Sequence, residues 1–141
     1  MDEGRKVLQR MKYLVGYNGS QAAKAALAVA RKHARVFEAQ ILLVTSMEGG
    51  TREKPEDISD ANLALEAARD MLRQEGIACE AHQLVRGLAP GEDLVKFAAD
   101  NAVDMIFVGI EKRSRTQKML LGSTAQFVIL RASCPVLTVK P

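Results

Sequence analysis

The chain has 141 residues, 48% hydrophobic and 26% charged, which fits one folded domain and excludes wholesale disorder. Aromatic residues make up only 4%, with no Trp, so the core must be built from Ala, Val, Leu and Ile, as suits helices packed closely on a sheet. A net charge of +3 is too small by itself to argue for nucleic acid, and no apolar run approaches the roughly 18 residues of a membrane span. The start, Met1-Asp-Glu-Gly-Arg-Lys6, mixes acids and bases with no apolar stretch behind it, so it does not read as a signal peptide. Residues 1–10 are expected to be a tail and residues 11–141 the domain, with Met11 a second start or the beginning of the fold. Cys79 and Cys134 form no metal or redox spacing, and a reducing cytoplasm is the default expectation.

Short apolar runs then alternate with longer stretches of helical period. Tyr13 to Tyr17 reads as a first strand, stopped by Asn18-Gly19-Ser20. Gln21 to about Val36 is Ala-rich, with Ala23, Ala26, Leu27, Ala30, Ala34 and Phe37 at helical spacing. Ile41 to Thr45 is the second strand, and the polar stretch from Glu48 to Glu56, with Gly49, Gly50 and Pro55, is a loop. A second helix over about Asp57 to Gln74 carries Ile58, Ala61, Leu65, Ala68 and Leu72 on one face, and Gly76 is placed to end it. In the third strand, Ala78 to Val85, polar Glu80, His82 and Gln83 point to an exposed face or a sheet edge. Pro90 suits the first turn of a third helix running to about Asn101, with Glu92 and Asp93 near its positive end. Met105 to Val108 is a continuous apolar run, the mark of a strand covered on both faces. A fourth helix begins near Ser123, and Val136 to Val139 forms the last strand after Cys134-Pro135.

Strands separated by helices predict a doubly wound α/β fold: one five-stranded parallel sheet with helices on both faces and right-handed crossovers. The expected strand order is 3-2-1-4-5, which puts a switch point between the ends of strands 1 and 4, where open α/β sheets bind ligands.

The chemistry concentrates after the fourth strand, from Gly109 to Ser123. Gly109 stands where the strand should turn sharply, and a glycine there admits positive φ or close approach to the backbone. Gly122-Ser123 opens the last helix, whose unpaired N–H groups make an anion site. Between them Lys112, Arg113, Arg115 and Lys118 place four cations within seven residues, with Ser114 and Thr116 as hydroxyl donors, a pattern suited to phosphate. The same residues also have a plainer reading. Ser123-Thr-Ala-Gln126 matches a capping box, and a basic run is often solvated surface. Neither a Walker loop nor a three-glycine dinucleotide pattern is present.

The stretch resembles the signature of the universal stress protein family: a glycine, two residues, a glycine, nine residues, then glycine with Ser or Thr. Tyr17-Asn18-Gly19-Ser20 is similar to that family's first turn and Val85-Arg86-Gly87 to its third-strand end. Leu130 to Leu137 resembles its entry into the last strand, so the likeness runs over nearly the whole chain from Met11. The resemblance implies an adenine nucleotide, ATP or AMP, at the strand 1–strand 4 switch point. It implies that Gly109, Gly122 and Ser123 hold phosphates with Thr124 close by, while Tyr17, Asn18 and Thr45 face base and ribose. Two positions depart from the pattern. Lys112 replaces the second glycine, so it either puts a direct charge on phosphate or fills the pocket and excludes nucleotide. Asn18 replaces the usual Asp, keeping hydrogen bonds without charge.

Two functions are carried forward. One is a cytoplasmic, dimeric stress regulator whose bound nucleotide is a regulatory ligand, with hydrolysis slow at most and Mg²⁺ only alongside ATP. The other is a non-binding interaction module acting through its dimer, paired at Val136 to Val139, where the family often dimerises. Nucleic-acid binding through residues 112–118 is disfavoured, because four cations without interleaved aromatics read bases poorly. No Ser–His–Asp arrangement can be argued and no metal site is expected; His33 and His82 are expected at the surface, and Cys79 and Cys134 as packed small hydrophobes.

Overall fold

Apolar runs become strands and periodic stretches become helices in the computed structural model, which describes residues 10–113, 118, 119 and 121–141, with residues 112, 113, 118 and 119 given by backbone alone. In chain order these are β1 (Lys12–Gly16), α1 (Gln21–Phe37), β2 (Gln40–Met47), α2 (Pro55–Gln74), β3 (Cys79–Val85) and α3 (Pro90–Asp100). There follow β4 (Met105–Gly109), β5 (Lys112–Arg113), β6 (Lys118–Met119), α4 (Ser123–Arg131) and β7 (Val136–Val139). The tail expected over residues 1–10 falls, apart from Arg10, outside the described residues.

The main sheet has five strands in the order β3-β2-β1-β4-β7, all parallel, with β7 as the fifth strand of the expected order. Strand alternation sorts the core into two layers. Tyr13, Val15, Ile41, Leu43 and Phe107 pack under α1 and α2, while Leu14, Leu42, Val44, Ile106 and Val108 pack under α3 and α4. The inner face of α1 is built from Ala22, Ala23, Ala26, Ala30 and Ala34, all buried, which brings the helix axis close to the sheet. β3 is an edge strand, which explains its polar residues.

Three expectations shift. α2 begins at Pro55 rather than Asp57, because proline lacks the N–H that the first helical position leaves unused, and this shortens the expected loop. The stretch after β4 is not wholly loop, since β5 and β6 form a short antiparallel pair, Lys112 opposite Met119 and Arg113 opposite Lys118. Val139, expected at the pairing edge, has its side chain buried in the core, so the free edge of β7 is presented by backbone and by exposed Thr138.

Candidate functional site

A cavity of about 290 Å³ opens at the C-terminal ends of β1, β2 and β4, bordered by the first turns of α1, α3 and α4. This is the switch point, since the chain leaves β1 toward β2 on one side and β4 toward β7 on the other. Tyr17, Asn18, Thr45, Gly109, Gly122, Ser123 and Thr124 all line it, so seven of the nine expected residues converge there. The other two, Lys112 and Arg113, lie in β5 by backbone, and their side chains are outside what is described, as are Ser114, Arg115 and Thr116 altogether. Among the described residues the lining holds no cation and one carboxylate, Glu111.

The β1 wall is held by local bonds. Asn18 Oδ1 accepts from the Ser20 backbone N–H at 3.0 Å, and Ser20 Oγ accepts from the Ala23 N–H at 3.1 Å, capping α1. Asn18 therefore spends its carbonyl on the turn and keeps its amide N–H groups for other partners. Tyr17 continues the alternation of Tyr13 and Val15, so its buried ring packs in the α1/α2 core layer while the residue also borders the cavity. Its backbone ties β1 to β2: the Tyr17 N–H donates to Val44 O at 2.9 Å, and the Thr45 hydroxyl donates to Tyr17 O.

The two glycines of the β4–α4 connection serve different ends. Gly109 does not turn sharply; it extends β4 in register with Val139 and has no positive φ. A Cβ there would stand 2.1 Å from Ala22 O and 2.8 Å from Ala22 Cβ, so the close approach that demands glycine is that of α1. Gly122 has an ordinary extended backbone, φ −69 and ψ 166, and a Cβ there would meet nothing within 4 Å. Neither conformation nor packing requires glycine at this place on the cavity wall.

The capping box expected at Ser123 and Gln126 does not form. Gly122 is the N-cap, Ser123 is already helical, and among the described residues no side chain caps α4. Gln126 instead donates its backbone N–H to Gly122 O and its side-chain amide to Leu121 O. Among the described residues, the first N–H groups of α4 therefore have no side-chain partner where Ser123, Thr124 and Ala125 line the cavity.

A polar cluster on the β2–α3 side escaped sequence reasoning. Asp93 is 0% exposed, and its Oδ1 accepts from Arg86 Nε and Nη2 at 2.8 and 2.6 Å. Its Oδ2 accepts from Ser46 Oγ at 2.8 Å, and Ser46 lines the cavity beside Pro90 and Leu94. The only sequence signal was an acid in the first turn of α3.

The remaining candidates stand apart from the cavity. His33 is half-buried rather than at the surface: its Nδ1 lies 3.0 Å from Val29 O and its ring packs edge-on to Phe107. His82 pairs with Glu80 at 3.0 Å and packs on Phe97, and its hydrogen bond holds the Glu80 carboxyl below its usual range. Cys79 is buried, and burial pushes its thiol up to about 12; burial also raises the thiol of the partly buried Cys134. Among the described residues no group of three or more His, Cys, Asp or Glu is placed to hold a metal, and no helix is long and apolar enough to cross a membrane.

The model of the Universal stress protein family matches residues 10–140. The chain is 32% identical over 129 residues to a universal stress protein of Synechocystis sp., an alignment covering 92% of this chain and 42% of that one. It therefore spans less than half the length of that relative. In structure it is similar to the universal stress protein from Archaeoglobus fulgidus, with a TM-score of 0.83, 38% identity and coverage of 94% and 100% of the two chains. It is also similar to the universal stress protein from Archaeoglobus fulgidus in complex with dAMP, with a TM-score of 0.75, 34% identity and coverage of 94% and 99%. With strand order, switch-point cavity and a family match along nearly all of its length in agreement, the chain belongs to the universal stress protein family.

Proposed function

We propose that this protein binds an adenine nucleotide, AMP or ATP, in the switch-point cavity as a regulatory ligand in the cytoplasm. The observation that carries the reading is the start of α4 beside Gly122, where, among the described residues, no side chain caps the first N–H groups and empty space for a Cβ lies on the cavity wall. Phosphate sits on Gly122, Ser123 and Thr124, with charge from Lys112 and Arg113. Ribose lies toward Asn18, and the base rests against Val44, Thr45, Pro90 and Leu94, the apolar side of the lining. Gly109 then serves the site by letting α1 close over β4. The dAMP complex of a relative 34% identical supports the ligand class. The reading assigns no catalytic residue, so ATP is turned over slowly at most, with Mg²⁺ bound only through its phosphates. Titration calorimetry with AMP and ATP tests this. Saturable binding that Gly122→Val abolishes is expected, and absence of heat at millimolar nucleotide contradicts it.

The cytoplasmic protein is further proposed to be a homodimer through β7. Ile106 and Ile110 donate to the carbonyls of Pro135 and Val139, so the intervening Thr138 points its N–H and C=O away from β4, along the free edge. Thr138→Pro removes only that outward donor and is tolerated on an edge strand. It should yield monomer by light scattering, and an unchanged mass would contradict pairing through this edge.

A further inference from the structure

Two hydroxyls end β2 on the cavity lining, Thr45 and Ser46, and the partner of each dictates where its one proton points. Thr45 donates to the backbone carbonyl of Tyr17, a group that only accepts. Ser46 donates to Oδ2 of Asp93 at 2.8 Å, while Arg86 holds Oδ1 with two N–H groups, and a carboxylate in such a pair accepts only. Asp93 is wholly buried, so this polarity belongs to the interior rather than to a mobile surface. Ser46 shares the α3-facing side of β2 with Val44 by strand alternation, and Val44, Pro90 and Leu94 line the same cavity. Both hydroxyl protons being committed elsewhere, these two hydroxyls offer a ligand only lone pairs.

Resting on the nucleotide reading above, we infer that Ser46, oriented by Asp93 and Arg86, is a specificity element that selects an aminopurine over an oxopurine. An exocyclic amino group donates to an oxygen that can only accept. The carbonyl of hypoxanthine or guanine would set acceptor against acceptor, away from water. Asp93 and Arg86 act through Ser46 and are positioning residues; of these three, Ser46 alone meets the base.

The experiment is titration calorimetry of the full chain with AMP, IMP and purine riboside monophosphate, which lacks the exocyclic group. The chain as it stands should prefer AMP to IMP by about tenfold or more, the factor one hydrogen bond supplies, with the unsubstituted purine between them. In Ser46→Ala the AMP-to-IMP ratio should fall to within about threefold of unity, with the melting temperature lowered by about 4–8 °C because the buried Asp93 Oδ2 loses its partner. Asp93→Asn offers Ser46 an amide donor, frees its proton for the cavity, and should narrow the ratio likewise. Should that variant not fold, Ser46→Ala still decides, because Ser46 is partly exposed and its truncation leaves the Arg86–Asp93 pair intact. Equal affinity for AMP and IMP in the unaltered chain, or an unchanged ratio in Ser46→Ala, overturns the inference while leaving nucleotide binding standing. Absence of binding by all three overturns the nucleotide reading and this inference with it.

Discussion

Replacing each of the two signature glycines by alanine separates packing from ligand binding. At Gly109 the added methyl would lie 2.1 Å from Ala22 O and 2.4 Å from Ala22 C, where ordinary contacts begin at 3.4 Å. Relief requires α1 to retreat by more than an ångström, and the obstruction is helix backbone rather than the tip of a flexible side chain. Overpacking of this kind costs about 1–3 kcal/mol, and a backbone obstruction belongs at the upper end. At about 4 °C per kcal/mol for a domain of this size, Gly109→Ala should melt about 12 °C below the parent. Gly122→Ala places its methyl in open space on a φ of −69, so only the poorer N-cap residue is felt, about 0.5–1 kcal/mol. Thermal melts followed by circular dichroism read both. Equal losses in the two variants, or a Gly109→Ala protein within about 1 kcal/mol of the parent, would refute the division of roles.

Asp93→Ala leaves Arg86 without its partner. Because Arg86 is 39% exposed and can rehydrate, the loss should be about 2 kcal/mol by urea denaturation, below the cost of breaking a fully buried pair. Lys112→Ala should weaken ATP more than AMP in calorimetry, since the larger phosphate charge depends more on a cation there; equal losses would remove Lys112 from the phosphate site. In native protein at pH 8, a thiol reagent should label Cys134 before Cys79, whose thiol burial pushes up to about 12, and Cys79 should react only after unfolding. The same shift has a sign for stability. Between about pH 9 and 12 the unfolded Cys79 thiol ionises while the folded one stays protonated, so stability should fall across that window. A Cys79→Ala protein should lose less stability over the same range.

The sheet was legible because each strand is a short apolar run and each crossover a helix, which leaves few topologies; β3 disclosed its edge position through Glu80, His82 and Gln83. The cavity was legible as a place for the same reason, since the switch point follows from strand order. Reasons were harder to read than residues. Gly109 reads as a site glycine, but its partner is Ala22, far back in the chain and close only after α1 docks. Ser123 fits a capping pattern, but Gly122 takes the N-cap position and Ser123 lies inside the helix. Asp93 carries only the local signal of an acid at a helix start, while its bonds reach Arg86 seven residues back and Ser46 forty-seven back. Such pairings exist only once β2, β3 and α3 are assembled.

Nucleotide binding at the start of α4 is the central claim, and calorimetry of AMP on the parent chain and on Gly122→Val tests it most directly. The account predicts one saturable site in the parent and its loss in a variant that stays folded. Absence of heat in the parent at millimolar AMP, or an affinity unchanged by the valine, would contradict it.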